Sequence, residues 1–285
     1  MRTLHVDTGR EMRGGQWQAL SLIEKLAGAG HTAKLLTPAG SGLNAEASKR
    51  GLDVANLGWG ALLRESRRHD LVHAHDAKAH TMAAIVGGAP LVVSRRVAFP
   101  VKSGVLSRWK YARARMYLAV SKNVALQLMA RGIGESKIRV VYDGVIVPPP
   151  GNPAPGRVVA LAIKPVEIPG IQVHYTSDLW HDLASASVFV YKSEMEGLGS
   201  AALAAMANGV PVVASGVGGL PEIVEQGVTG LIVNNGDFAG AVRSLLNDPE
   251  KAAEMGRRGR ELVRRKFTVD VMVEKTLAAY REALA

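Results

Sequence analysis

The chain has 285 residues, 47% of them hydrophobic, with no cysteine and a formal net charge of +10. That length favours two domains of ordinary size with real cores, and the lack of cysteine excludes disulfides and thiolate metal sites. No apolar run reaches the roughly eighteen residues of a membrane span and the amino terminus lacks a signal-peptide pattern, so a cytoplasmic location is the expectation. The charge is uneven: residues 1–140 carry 22 Lys/Arg against 9 Asp/Glu (+13), residues 141–285 carry 13 against 16 (−3). A basic half suits an anionic partner, such as a phosphorylated substrate, an acidic lipid surface or nucleic acid, or is simply a solvated surface.

Arg2 to Val6 predicts a short strand. Gly14-Gly15 falls in a loop after it, and Trp17 to Ala27 has helical spacing through Trp17, Leu20, Leu22, Ile23 and Leu26. Lys34 to Thr37 is the next strand. The glycines do not spell GxGxxG, so no dinucleotide fingerprint is present. Ala45 to Arg50 reads as a helix, Leu52 to Leu57 as a weak strand and Leu62 to His69 as a helix. Asp70 to Asp76 is a strand running into a histidine-rich turn. His73, His75, Asp76 and His80 invite a metal reading, but the spacing is not that of a helical HExxH pair, and His73 and His75 alternate on one strand face. No metal is expected.

Leu91 to Ser94 is another strand, ending in Arg95-Arg96. Two arginines at the carboxyl end of a parallel strand stand where α/β proteins bind ligands, and their shape suits bidentate phosphate or carboxylate contacts. Loop surface charge is the plainer alternative. Lys102 to Tyr117 mixes Lys102, Arg108, Lys110, Arg113 and Arg115 with Leu106, Trp109, Tyr111, Met116 and Tyr117. Such a helix either lies on an anionic membrane or packs by its aromatics. A strand at Tyr117 to Ser121, a helix at Val124 to Ala130 and a strand and turn at Lys137 to Val145 follow. Pro148 to Gly156 (PPPGNPAPG) reads as a stiff, extended linker between domains 1–147 and 157–267.

Arg157 to Ile163 opens the second domain as a buried strand. Only nine residues, Lys164 to Gln172, separate it from the strand Val173 to Thr176. A parallel crossover normally takes about a dozen or more, so the domain is shortened here and a helix between the two strands is not required. Lys164 is the one basic residue in the gap and a candidate phosphate ligand.

Residues 187–235 carry the densest pattern. A run at Val188 to Val190 leads into Glu196-Gly197-Leu198-Gly199-Ser200 and a small-residue helix, Ala201 to Ala207. Gly209-Val210-Pro211 and the strand Val212 to Ala214 follow, then Gly218-Gly219-Leu220-Pro221-Glu222 and the strand Gly230 to Val233. Strand, glycine turn and helix repeat as in a doubly wound parallel sheet. Gly197 and Gly199 let backbone approach a ligand, Ser200 can cap the helix, and the helix amino end suits a phosphate. Glu196 would repel phosphate but can hydrogen-bond sugar hydroxyls. By itself this motif is equally a bare strand-to-helix connection. Helices at Phe238 to Asn247, Pro249 to Arg265 and Thr268 to Leu284 complete the chain.

The whole stretch, Glu196 to Gly199, Ala205 to Ser215, Gly218 to Val224 and Gly227 to Leu231, resembles the donor-binding half of GT-B glycosyltransferases, in particular glycosyltransferase family 4. The resemblance implies an α/β GT-B fold. Two Rossmann-like parallel-sheet domains would face a cleft, the carboxyl-terminal one shortened, with residues 268–285 packing back on the first. It implies transfer of a sugar, with retention and without cofactor or metal, from a nucleotide-diphosphate-sugar to a hydroxyl of an envelope glycolipid, lipopolysaccharide or polysaccharide precursor. In that family Glu196 would touch the transferred sugar, and His75 would join it as a catalytic residue. Gly14, Gly15, Lys164, Thr176, Ser177, Gly197, Leu198, Gly199 and Ser200 would bind the donor. Arg95 and Arg96 would face acceptor or phosphate, near a point where many members carry a histidine. Two features depart from the family: its second glutamate falls on Ala204, and Lys164 stands where an arginine and a lysine hold the diphosphate. A non-catalytic scaffold, an epimerase or phosphorylase on the same architecture, and a nucleic-acid binder without a recognised motif are the rival readings.

Overall fold

The computed structural model describes residues 1–99, 104–234 and 236–285. It divides into two compact units, one of residues 1–142 and 272–285, the other of 143–271. In each, most inner parallel strands are short runs rich in Leu, Val and Ala, buried on both faces, which is why they read as continuous apolar stretches rather than alternating ones, while the edge strands are part-exposed.

In the first unit, strands β1 (Arg2–Val6), β2 (Thr32–Thr37), β3 (Asp53–Asn56), β4 (Leu71–Ala74), β5 (Leu91–Arg95), β6 (Met116–Ala119) and β7 (Ile138–Val140) stand in the order β3-β2-β1-β4-β5-β6-β7. Helices α1 (Gly14–Gly28), α2 (Gly42–Lys49), α3 (Trp59–Ser66), α4 (Ala77–Val86), α5 (Val105–Ala112) and α6 (Lys122–Met129) connect them. Short polar side chains fix several starts: Ser41 accepts from the Asn44 amide, Asp76 from those of Lys78 and Ala79, and Ser121 from that of Val124. Chain order reverses direction between β1 and β4, the switch point at which open α/β sheets bind ligands.

The second unit holds β8 (Val158–Leu161), β9 (Val173–Thr176), β10 (Val188–Tyr191), β11 (Val212–Ser215) and β12 (Gly230–Val233), in the order β12-β11-β10-β8-β9. Here the reversal lies between β8 and β10. Helices α7 (Leu179–Leu183), α8 (Ser200–Ala207), α9 (Leu220–Ile223), α10 (Phe238–Leu246) and α11 (Pro249–Lys266) complete it. The last helix, α12 (Val269–Leu284), starts on a cap in which Thr268 Oγ1 accepts from the Val271 amide, and from Met272 onward it counts with the first unit. No helix among the described residues is long and apolar enough to cross a membrane.

β8 and β9 are parallel neighbours, yet no helix joins them. Val166 and Ile168 of the connection drop into the core beside Val158, Phe238 and Val242, filling the space a crossover helix would take. Its backbone is held from outside: Tyr175 donates to the Val166 carbonyl at 2.9 Å and Arg243 to that of Pro169 at 2.5 Å.

Several sequence expectations are corrected. Gly14 and Gly15 are the first turn of α1, not a preceding loop. The basic, aromatic helix ends at Ala112, and Met116 joins Tyr117 in β6, one residue before the strand was expected to begin. Lys102 lies outside the described residues. The segment 148–156 is fastened to the second unit: the amides of Asn152 and Ala154 donate to the carbonyls of Ala184 and Ser185. The buried Arg260 ties Pro148 to the end of α8 by donating to the carbonyls of both Pro148 and Ala207.

Candidate functional site

In the second unit the chemistry gathers where β8 and β10 end. The chain turns tightly after Leu161 and brings the Lys164 ammonium to Glu196 Oε2 at 2.8 Å, to the Tyr191 hydroxyl at 2.9 Å and to Ser193 Oγ at 3.0 Å. Tyr191, the last residue of β10, donates to Glu196 Oε2 at 2.6 Å, and the Gly197 amide donates to Oε1 at 3.1 Å. Both oxygens of Glu196 are therefore held. Burial, and then the Glu196 charge, push the Tyr191 phenol above its ordinary range, so it stays a donor. The ammonium also stands 4.5 Å above the Tyr191 ring. The ion pair spans the sheet's switch point.

Two glycines are needed to build this corner. Gly199 ends the turn at φ +106°, and a Cβ there would lie 2.5 Å from Leu220 Cδ2. Gly218, at φ +58°, lets the loop after β11 pass so close that a Cβ would stand 1.8 Å from the Glu196 carbonyl oxygen. Gly199 is the N-cap of α8 and gives no side-chain cap; Ser200 is the first helical residue rather than the cap expected of it. The amino end of α8 thus offers backbone N–H groups beside Glu196. Thr176 and Ser177 end the neighbouring strand β9, the first buried and the second exposed. Ala204 lies buried within α8.

In the first unit the switch point between β1 and β4 is lined by imidazoles. His5 pairs with His73 across the two strands, and His75 follows β4. All three are buried. His5 Nδ1 lies 3.0 Å from His75 Nε2, and His5 Nε2 lies 3.0 Å from Thr3 Oγ1. His73 bridges the Tyr280 hydroxyl and Ser94 Oγ, and its ring sits 4.1 Å from that of His75. Burial lowers all three pKa values, that of His5 to about 3, so each ring is neutral at physiological pH. The coordinating nitrogens of this trio lie within 4.8 Å of one another, the spacing of a metal-ligand set.

The expected arginine pair separates, as neighbours on a strand must. Arg96 turns to His75 Nδ1 at 3.3 Å and passes Gly15, whose position for a Cβ lies 3.9 Å from Arg96 Cδ. Arg95 turns away, donating to the Tyr111 hydroxyl at 3.0 Å and to the Phe99 carbonyl. Its two terminal nitrogens are thus occupied within the fold. Asp76, once grouped with the histidines, caps α4 and accepts from Thr8. His80 Nε2 meets the Lys110 carbonyl at 3.2 Å, apart from the trio.

So His75, Arg96 and Gly15 come together in one unit, and Lys164, Glu196, Gly197, Leu198, Gly199 and Ser200 in the other. Sequence reasoning missed His5, Tyr191 and Tyr280. His5 had a readable signal: Thr3 and His5 place polar groups at alternate positions of β1, on one face, and Asp7 carries the alternation just past its end.

Residues 12–147 match the family described as Glycosyltransferase Family 4, and residues 171–262 match Glycosyl transferases group 1. Among curated relatives, the alpha-maltose-1-phosphate synthase of Mycolicibacterium smegmatis is 43% identical over 112 residues, covering 36% of this chain and 29% of the relative. The D-inositol 3-phosphate glycosyltransferase of Kribbella flavida is 39% identical over 124 residues, 42% of this chain and 27% of the relative. The chain thus matches under a third of the length of these relatives. Among solved structures, Anabaena HepE in complex with UDP superposes with a TM-score of 0.84 at 15% identity, covering 99% of this chain and 100% of that one. The lipopolysaccharide outer core galactosyltransferase WaaB superposes with a TM-score of 0.69 at 13% identity, over 99% of each chain. In both units, therefore, the chain resembles GT-B glycosyltransferases of family 4, and its fold is theirs.

Proposed function

We propose that this chain is a retaining glycosyltransferase that moves a hexose-type sugar from a nucleotide-diphosphate-sugar to a hydroxyl of an envelope glycolipid, lipopolysaccharide or polysaccharide precursor. The observation that carries the reading is the Lys164–Glu196 pair at the switch point, beside the amino end of α8. As the glycosidic bond breaks, positive charge develops on the sugar and negative charge on the departing diphosphate. Lys164 and the α8 amino end stabilise that diphosphate by electrostatics already in place, and Glu196, held by Tyr191 and the Gly197 amide, meets the sugar hydroxyls. Backbone at Thr176 and Ser177 is assigned to the nucleobase. In the first unit, His75, Arg96, Gly14 and Gly15 are assigned to the sugar and acceptor; Arg95 keeps a structural role.

With a lysine and a helix end meeting the leaving group, the reaction needs no divalent ion, and activity should survive excess chelator. HepE was crystallised with UDP and with UDP-glucose, which places uridine nucleotides first among the donors to try. Acceptors in a membrane fit α5: no residue of it is buried, and Val105 and Leu106 are 72% and 83% exposed beside Arg108 and Lys110. A thermal-shift screen against UDP-, GDP- and ADP-sugars tests the reading. A shift with one nucleotide-sugar supports it. A second reading, a non-catalytic GT-B scaffold, rests on Ala204 in place of the ribose-binding glutamate, and no shift with any donor would favour it.

A further inference from the structure

The hydrogen bonds of the buried histidines have a direction that one group fixes. A guanidinium can only donate. Arg96 Nη1 lies 3.3 Å from His75 Nδ1, so that nitrogen must carry a lone pair. A neutral His75 then bears its proton on Nε2 and donates it to His5 Nδ1, 3.0 Å away. His5 in turn bears its proton on Nε2 and donates to Thr3 Oγ1 at 3.0 Å. The Thr3 hydroxyl passes the sequence on to the Thr32 carbonyl at 3.3 Å, which can only accept. The chain has a pure donor at one end and a pure acceptor at the other, and every link between them agrees. Turning it round would set an Nδ1–H of His75 against the guanidinium, donor against donor.

We infer that His5 is a positioning residue: through this buried chain it locks His75 as the Nε2–H tautomer, with the Nδ1 lone pair turned to Arg96 just past the end of β4. The face so formed suits a ligand that carries a hydroxyl next to an anionic group. An anion that draws Arg96 away frees that single lone pair to accept from the hydroxyl. Assigning that ligand to the transfer reaction rests on the proposed function; the tautomer does not. The same chain tells against a metal at these histidines. His5 Nδ1 already receives the His75 proton, and a cation there would break the His5–His75 link beside a guanidinium.

The test is NMR of the full chain with ¹⁵N-labelled histidine near neutral pH, using two-bond couplings to read which ring nitrogen is protonated. The parent should show His75 protonated at Nε2 only. His5→Phe removes the acceptor and should release His75 into a mixture of tautomers. His5→Asn, whose Oδ1 can take the place of Nδ1, should restore the single form. If His5→Phe does not fold, the parent and His5→Asn spectra decide: His75 must be Nε2–H in both. With an active donor and acceptor, His5→Phe should lower kcat on the order of tenfold or more with little change in donor KM, and His5→Asn should recover most of it. An Nδ1–H tautomer in the parent, or a His75 signal indifferent to His5→Phe, overturns the inference. So does stoichiometric Zn²⁺ that shifts all three histidines and abolishes the Nε2–H coupling. The expected tautomers in a protein that transfers no sugar would sink the proposed function and leave this inference standing.

Discussion

Acidification should strongly destabilise the first unit through its buried histidines, above the pH at which Asp70 takes up its proton. His5, His73, His75 and His80 are all buried and neutral; burial is the largest cause for each, and it takes His5 and His80 to about 3. In the unfolded chain a histidine titrates near 6.5. Between those values the unfolded state binds protons that the folded state refuses, so stability is full above about 6.5 and falls as pH falls. Going from about pH 7.5 to about pH 5.5 costs about 1.4 kcal/mol for each such imidazole, or about 5 kcal/mol for four. That is a large share of the roughly 5–15 kcal/mol that holds a domain together. Asp7 works the other way, since burial raises its carboxyl and its protonation on acidification favours the folded form. Asp70, held low first by the Arg2 amide, loses its contribution only below about pH 4. Trp180→Phe leaves Trp17, Trp59 and Trp109, all in the first unit, as fluorescence reporters for urea titrations at the two pH values. A loss of several kcal/mol is expected. A loss under about 1 kcal/mol would mean that the histidines are charged or solvated in the folded state, and the reasoning fails.

Gly218→Ala should cost at least about 2 kcal/mol, from positive φ and a clash with the Glu196 carbonyl, and lower Tm by several degrees. Gly227→Ala, at φ +73° with open space around it, isolates the conformational part, and equal Tm losses for the two would refute the close approach. In liposome co-sedimentation, recovery should rise with anionic lipid and fall with salt, each basic residue near the surface contributing about 1 kcal/mol. Leu106→Asp should abolish binding through α5, and equal recovery on neutral vesicles rejects that surface.

Much of the fold was legible because parallel sheets advertise themselves: Leu91 to Val93 and Val212 to Ala214 are apolar throughout. The glycine corner at Gly197 to Gly199 and the helix-free passage from Lys164 to Gln172 could be read from spacing alone. What could not be read was pairing across distance. Lys164 meets Glu196 only because β8 and β10 are neighbours in the sheet. Arg95 and Arg96 look alike in sequence, and the strand pleat sends one to Tyr111 and the other to His75. The role of His5 depends on β1 lying against β4, which no local pattern states.

Calorimetric titration of the donor found by thermal shift, into the parent and Lys164→Met, tests most directly whether the second unit grips a nucleotide-diphosphate-sugar through Lys164. A charge-assisted hydrogen bond is typically worth about 1.5–3 kcal/mol, so the variant should bind about 10- to 150-fold more weakly. Equal affinity in the two proteins would contradict the account.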